Sequence, residues 1–468
     1  MPHIQHTLLT LGLLICLSAC APKVSTSDLS AALSSGDVEN VIASMEADTH
    51  SQDEMWYHLD LARLYQVQGD YEKSKQHYEK AEQILDEYEE RAKISMRNVG
   101  SGAGSLLFSK GAETYYGKGY ERSLMHTLNA CNYISLGQMD SAGIELRKME
   151  KRQEFWLAES TEKIKEAAEK KAKVAAEAGE GPGIPENYSM RALLEDPDVA
   201  AMVNNYQDPF SYVLSCMIAL INEDMVYAQI SAQRAALLSP EAHQLLLSSP
   251  LTGPFLRNID LQTATTARPV QPLPPPSPDS IPVTVLVLAG RAPSLKIENI
   301  PIPIGHLNYT TVDIPALNAP EDDLTSIRIT HAGTAQPVYH LLRSDKLAYK
   351  TLKDELPMEI AMAIVRAASK GGLAYAASES GGGDIGGLLA SVVMNVVSAQ
   401  MELSFRNWEL LPNSGFLASF SAKRGDVVDF GLDGQTIQHT VDPQAARGVM
   451  IFVSVLSNNI IRIHHATY

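Results

Sequence analysis

The apolar positions of this chain recur with two different periods. Up to about residue 257 they return every three to four residues, the spacing of a buried helix face. Beyond residue 283 they alternate, the spacing of a half-buried strand. Between the two lies 258–282, where Pro272, Pro274, Pro275, Pro276 and Pro278 crowd together. Proline at that density makes an extended, semi-rigid spacer. The pattern predicts an α+β multidomain chain: an N-terminal helical domain over 29–257, a Pro-rich linker over 258–282, and a C-terminal antiparallel β-rich, sandwich-like domain over 283–468.

The helical half reads as hairpins. One pair fits 28–47 with Gly36 as its turn, and the strongest local signal follows at 56–85. With Gly69 at the turn, Leu61, Ala62 and Tyr65 fall on one helix and Tyr71, Ser74, Tyr78 and Ala81 on the next. These are the spacings of a tetratricopeptide repeat, whose unit is about 34 residues. Small residues let paired helices approach, and the tyrosines fill the groove between units. A second unit can be laid on Gly137, with Ala130, Tyr133, Ala142 and Leu146 in register and Asn129 where a large apolar residue is usual. A third fits 212–240, with Cys216, Ala219, Ala228, Ala232 and Ala235 on schedule, Pro240 as terminator and Glu223 in place of the turn glycine. Two insertions separate the copies. The first includes the Gly- and Ser-rich stretch 98–105, and the second begins with a charged helix over 159–178, in which Glu166 and Lys170 pair four apart.

In the second half, 283–288, 294–300, 309–314, 326–330 and 338–342 read as strands bounded by Pro, Gly and Asn. Strands resume at 416–421, 427–432, 436–441 and 449–456, and Asn458 with Asn459 turns the last into 460–463. A helical pair is inserted near 357–378 and 385–401. Pro357 marks the start of the first helix. The second carries Leu388, Val392, Val393 and Val396 as an apolar stripe without a formal charge. Its length falls short of the roughly 20 residues of a bilayer span, so it is expected to be a core or interface helix.

Composition and the N-terminus add a location. The apolar run 8–17 ends in Leu17, Ser18, Ala19 and Cys20, the form of a lipoprotein signal peptide over 1–19. Acylation of Cys20 would leave 20–28 as a lipidated tether. Ala21, at the position where an aspartate marks inner-membrane lipoproteins, points by resemblance to bacterial lipoproteins toward the outer membrane. The net charge is −17, and residues 21–240 hold 22 Lys and Arg against 35 Asp and Glu. Such a surface repels phosphate backbones and anionic headgroups, so nucleic acid is excluded as a partner and the lipid on Cys20 is left to hold the membrane. Cys131 and Cys216 sit in apolar helical patterns and read as small buried hydrophobes more readily than as a disulfide.

Chemistry is sparse. No H-E-x-x-H, paired-cysteine zinc pattern or G-x-S-x-G occurs, and His439, His464 and His465 lack a third ligand at a recognisable spacing. The expectation is no catalytic residue, no metal and no cofactor. Trp408 reads as a core residue at the re-entry into the sheet.

The run Tyr116-Gly117-Lys118-Gly119-Tyr120-Glu121, followed by Asn132-Tyr133-Ile134-Ser135-Leu136-Gly137 and by Glu145-Leu146-Arg147, carries a resemblance. The chain resembles a family of largely uncharacterised bacterial outer-membrane lipoproteins with tetratricopeptide-like helices and a strand-rich C-terminal half. Their Arg-x-Trp-x-x-Leu-Pro motif corresponds here to Arg406 through Pro412. The resemblance implies an envelope lipoprotein without established enzymatic activity. The reading it completes is a periplasm-facing scaffold for protein–protein interaction in outer-membrane or cell-wall assembly or maintenance. Its acidic groove would favour a basic segment of an envelope protein, with Tyr116, Tyr120, Glu145 and Arg147 as contact candidates. Two alternatives stay open: a β-rich domain that binds peptidoglycan or another glycan, and a hydrolase.

Overall fold

The computed structural model describes residues 36–46, 53–97, 115–178, 185–257, 279–304, 308–371, 407–457 and 459–468, with single positions at 29, 31, 33, 35, 259 and 261. The signal peptide, Cys20, the tether, most of the Pro-rich linker and the helix expected near 385–401 lie outside the described residues.

The helical half begins with α1 (Val38–Glu46) and three hairpins. These are α2 (Glu54–Gln68) with α3 (Tyr71–Arg97), α4 (Gly119–Ser135) with α5 (Met139–Ala178), and, after the short α6 (Arg191–Leu194) and α7 (Pro197–Ala201), α8 (Pro209–Ile221) with α9 (Met225–Leu238). The helices α10 (Pro240–Ser248) and α11 (Gly253–Leu256) close the array. All three hairpins turn in the same way. Gly69, Gly137 and Glu223 adopt left-handed φ of 86°, 72° and 62°. In each, that residue and its successor donate back into the last turn: Gly69 N to Gln66 O and Asp70 N to Tyr65 O, Gly137 N to Ile134 O and Gln138 N to Tyr133 O, Glu223 N to Leu220 O and Asp224 N to Ala219 O. This is the Schellman closure of a helix. Glu223 therefore performs the glycine's turn at a strain of about 1–2 kcal/mol. The charged segment 159–178 forms no separate insertion, since it continues α5 without a break.

Asp208 caps α8, accepting from Ser211 N at 2.7 Å and Ser211 Oγ at 2.8 Å. Burial pushes its carboxyl up to about 6, against the pull of those hydrogen bonds. A raised carboxyl contributes stability that is full below its unfolded value and is lost as pH rises through its folded value. Asparagine can make the same cap without the charge. An Asp208→Asn chain should gain on the natural one by about 3 kcal/mol between pH 4 and pH 8, since each pH unit between the ordinary and the raised value is worth about 1.36 kcal/mol. Urea unfolding at both pH values checks this, and parallel stabilities would refute it.

The strands are β1 (Ser280–Ala289), β2 (Leu295–Ile304), β3 (Asn308–Leu317), β4 (Ile327–His331), β5 (Thr334–Gln336), β6 (Tyr339–Arg343), β7 (Ser414–Lys423), β8 (Val427–Leu432), β9 (Gln435–Thr440), β10 (Val449–Ser457) and β11 (Ile460–Thr467). They form a five-stranded sheet in the order β11-β10-β1-β7-β6, a four-stranded sheet β5-β4-β8-β9, and the hairpin β2-β3. The sheets are antiparallel except at the centre of the largest, where β1 runs parallel to β10 from Val283 opposite Val449 to Ala289 opposite Val455. A strand buried on both faces reads as a continuous apolar run, and β1 has one. Val283, Val285 and Val287 pack with Phe416, Ile451 and Phe430 against the four-stranded sheet. Leu286 and Leu288 join Leu417, Met450 and Phe452 in a core shared with Trp56, Leu128 and Leu214 of the helices. The layers are thus helices, five-stranded sheet and four-stranded sheet. The sandwich is real on one side, while its other side is a common core with the helical half.

The inserted helix α12 (Ser344–Gly371) starts 13 residues before the expected position and runs through Pro357. Its start is fixed from a distance: Ser344 N donates to Asn413 O, Ser344 Oγ to Pro412 O and Asp345 N to Asn413 Oδ1. Leu352 and Leu356 before the proline and Ile360 after it are buried. That packing on both sides offsets the roughly 3 kcal/mol an interior proline costs a helix.

Candidate functional site

The two motifs that carry the resemblance meet in space. At the start of α4 a Cβ on Gly119 would collide with the Trp156 indole, so only glycine allows that approach. Lys118 N donates to Glu121 Oε2 at 2.6 Å and closes the first turn. Glu121 is buried, and it also accepts from Tyr115 OH at 3.0 Å and, through Oε1, from Trp408 N at 2.8 Å. Burial pushes its carboxyl up, against the pull of the Lys118 and Trp408 amides and the Tyr115 hydroxyl. The neighbours of Trp408 are fixed from α2. Trp56 Nε1 donates to Asn407 O at 3.0 Å, and Leu410 N donates to Asp60 Oδ1 at 3.1 Å. Trp408 itself is fully buried, edge-on to Tyr78 with ring centroids 6.0 Å apart.

More links tie the halves together. Lys118 Nζ pairs with Glu355 of α12 at 2.6 Å, and Arg462 of β11 donates to Val67 O and Gln68 O at the end of α2. His464 Nε2 meets Ser135 O at 3.2 Å, over the C-terminus of α4. Thirteen of the fifteen residues of α2 are buried, which means contact on all sides and not one amphipathic stripe. The face expected to offer a groove is filled by the chain's own C-terminal half.

Behind the junction, α3, α4 and α5 enclose a charge network. Glu82, His126 and Glu145 bring three potential ligand atoms within 4.8 Å of one another. Lys148 Nζ, however, bridges Glu82 Oε2 at 2.8 Å and Glu145 Oε1 at 2.9 Å. Arg152 donates from Nε to His126 Nε2 at 3.2 Å, from Nη1 to Glu89 and from Nη2 to Asp86, both at 2.7 Å. With Nε2 accepting, the His126 proton sits on Nδ1 and points at Glu145 Oε2, 2.8 Å away. A cation would need that nitrogen bare and would face two resident cations, so the donor set fits an ion-pair network and not a metal centre. Burial pushes Glu145 up, but His126 and Lys148 outweigh it and hold the carboxyl below its ordinary range.

A serine, a histidine and an aspartate also converge at the β6–β7 edge. Ser414 Oγ lies 2.9 Å from Asp323 Oδ2 and 3.0 Å from His340 Nε2. A hydrolytic triad runs carboxylate, imidazole, hydroxyl. Here the buried hydroxyl stands in the middle and gives its one proton to the carboxylate, so His340 donates to it and cannot take that proton. The cluster orients Asn413, whose Nδ2 reaches the same Asp323 oxygen at 2.6 Å. Between β9 and β11, His439 Nε2 and His465 Nδ1 lie 2.9 Å apart, a pairing that separation in sequence conceals.

The four contact candidates do not converge. Tyr120 and Glu145 are buried, which corrects their reading as partner contacts. Tyr116 is half-buried and stacks on Tyr88 at 4.0 Å. Arg147 reaches the surface but pairs with Asp224 at 2.5 Å and lies over the Tyr227 ring. Cys131 and Cys216 are buried thiols, not a disulfide.

Exposed apolar side chains gather elsewhere. Val203 and Val226 are each 72% exposed, and Ile144, Leu157, Ile230 and Leu237 are exposed as well, on α5, α9 and the connection before α8. Three of them, Leu157, Val203 and Leu237, border a cleft of about 260 Å³ that Glu150, Gln153, Tyr206 and Arg234 also line. Arg234 Nη1 pairs with Glu150 Oε2 at 2.9 Å on its floor. No family model, curated protein or solved structure matches the chain.

Proposed function

We propose that this chain is a bacterial envelope lipoprotein, held in the outer membrane by a lipid on Cys20 and facing the periplasm, that acts as a protein–protein interaction scaffold in outer-membrane or cell-wall assembly or maintenance and not as an enzyme. The supporting observation is the cleft between α5 and α9, bordered by the exposed apolar side chains Leu157, Val203 and Leu237. Soluble chains rarely leave such side chains contiguous unless something covers them. The inner face of the tetratricopeptide-like hairpins is already covered in cis, so partner binding moves to their outer flank. Glu150 and Glu154 at the cleft stand against the single Arg234, which favours a basic segment in the partner. Among the described residues no helix is long and apolar enough to cross a membrane.

A photo-crosslinking amino acid placed at Val203 or Leu237 in cells tests the flank, with exposed Glu72 as the control position. The expected result is a discrete adduct from the first two sites that disappears in a Leu157→Glu background. Adducts no stronger than those from position 72 would remove the reading. Fatty-acid labelling that persists in a Cys20→Ser chain would remove the anchor.

A further inference from the structure

Around the junction several buried polar atoms have no partner among the described residues, and Tyr78 links them: its ring meets Trp408, and Arg63 and Asp60 both act on its hydroxyl. Arg63 is fully buried and uses only Nη1, on Gln66 Oε1 at 2.8 Å, while its Nε and Nη2 donate to nothing. The Trp408 Nε1 and the Tyr78 hydroxyl are unpartnered as well, on rings that meet edge-on. Asp60 lies three residues before Arg63, on the same face of α2. Its Oδ1 is taken by Leu410 N, and its Oδ2 has no donor.

The balance of this group is one-sided. Arg63 Nε and Nη2 carry three hydrogens between them, and Tyr78 and Trp408 one each. Against these stands the Oδ2 of Asp60. A water molecule accepts two hydrogen bonds and must give two, and this wall offers its hydrogens too few acceptors. A small anion accepts from every donor and gives none. Charge leads to the same answer, because a guanidinium removed from water is stable only beside a countercharge, and no carboxylate among the described residues pairs with Arg63. Burial, with Glu409 and then Glu121 nearby, pushes the Asp60 carboxyl well up against the pull of the Leu410 amide.

We infer that a small monovalent anion of the halide type, chloride under ordinary conditions, binds between α2, α3 and Trp408, held by Arg63 Nε and Nη2, Tyr78 OH and Trp408 Nε1. It supplies the countercharge for Arg63 and ties the first hairpin to the motif that fills its inner face. Docking of the two halves then depends on the anion.

Two measurements on the full mature chain test this. Crystals grown in sodium bromide should show an anomalous peak within hydrogen-bond reach of those donors. The thermal midpoint should rise saturably with chloride and not with gluconate at equal ionic strength. Tyr78→Phe removes one hydrogen bond without touching the charge and should weaken the chloride effect about tenfold, about 1.4 kcal/mol, as expected for one buried hydrogen bond. Arg63→Met should abolish it, and if that chain does not fold, Tyr78→Phe carries the comparison alone. Ordered water at the donors with no anomalous peak would overturn the site. So would a peak without the midpoint shift, which marks an adventitious ion only, or equal chloride effects in the natural and Tyr78→Phe chains.

Discussion

A Trp408→Ala chain is expected to lose about 3–5 kcal/mol, the cost of deleting a large buried aromatic and leaving its cavity. Against a total of about 5–15 kcal/mol for an ordinary fold, that is a large share. The indole is fully buried against Tyr78, and the backbone on either side of it is held by Trp56, Glu121 and Asp60. The segment cannot collapse into the space, because those three backbone anchors fix it. One core contains Trp408 together with Leu64 and Leu128 of the helices and Leu417 and Phe452 of the sheet, so the loss should register in both halves together. Urea unfolding followed by far-ultraviolet dichroism and by hydrogen exchange at β1 amides should give one shared transition, moved to lower urea in the variant. Two separated transitions in the natural chain would show that the halves are independent bodies and would sink the argument. Glu121→Gln should cost less, since a neutral amide oxygen still accepts from Trp408 N.

What the sequence disclosed follows from the range over which each signal acts. The hairpin turns at Gly69 and Gly137 were readable because a left-handed residue after a 3.6-period run is a local signal, and the alanine spacing exposed the third turn even though Glu223 carries no such mark. The strands were readable for the same reason. Their pairing was not: β1 looks like any apolar run, and its parallel partner β10 is known only from the fold. Pro357 misled because its local rule is sound and was overridden by Asn413, which caps α12 from the β7 side. The motifs at 116–121 and 406–412 stood out, but their role did not, because Glu121 and Trp408 are 287 positions apart. Glu145 read as a contact for a partner. One signal could have placed it inside: Glu82, Asp86 and Glu89 on α3 form an acidic stripe at helical spacing, and Lys148 and Arg152 on α5 form the basic stripe that answers it, with Glu145 one turn before Lys148 on the same face.

Those stripes make Arg152 the second most costly position. An Arg152→Met chain should lose about 3–5 kcal/mol near neutral pH, the usual cost of removing one partner from a buried ion pair. The side chain is 8% exposed and reaches Glu89, Asp86 and His126 with three different nitrogens. Lysine offers one point charge where the planar guanidinium serves three directions, so Arg152→Lys should recover only a minor part. The same network sets a pH dependence at Glu145. Its carboxyl is held below the ordinary range, so its contribution is present above the unfolded value of about 4.3 and is lost as pH falls through the lower folded value. The stability gap between the natural chain and Glu145→Gln should therefore be full at pH 7 and close in strong acid. Urea unfolding of the three variants at pH 7 and pH 3 decides it. A cost below about 1 kcal/mol for Arg152→Met, the range of exposed pairs, would mean that the network lies open to water and that Lys148 alone supplies its charge.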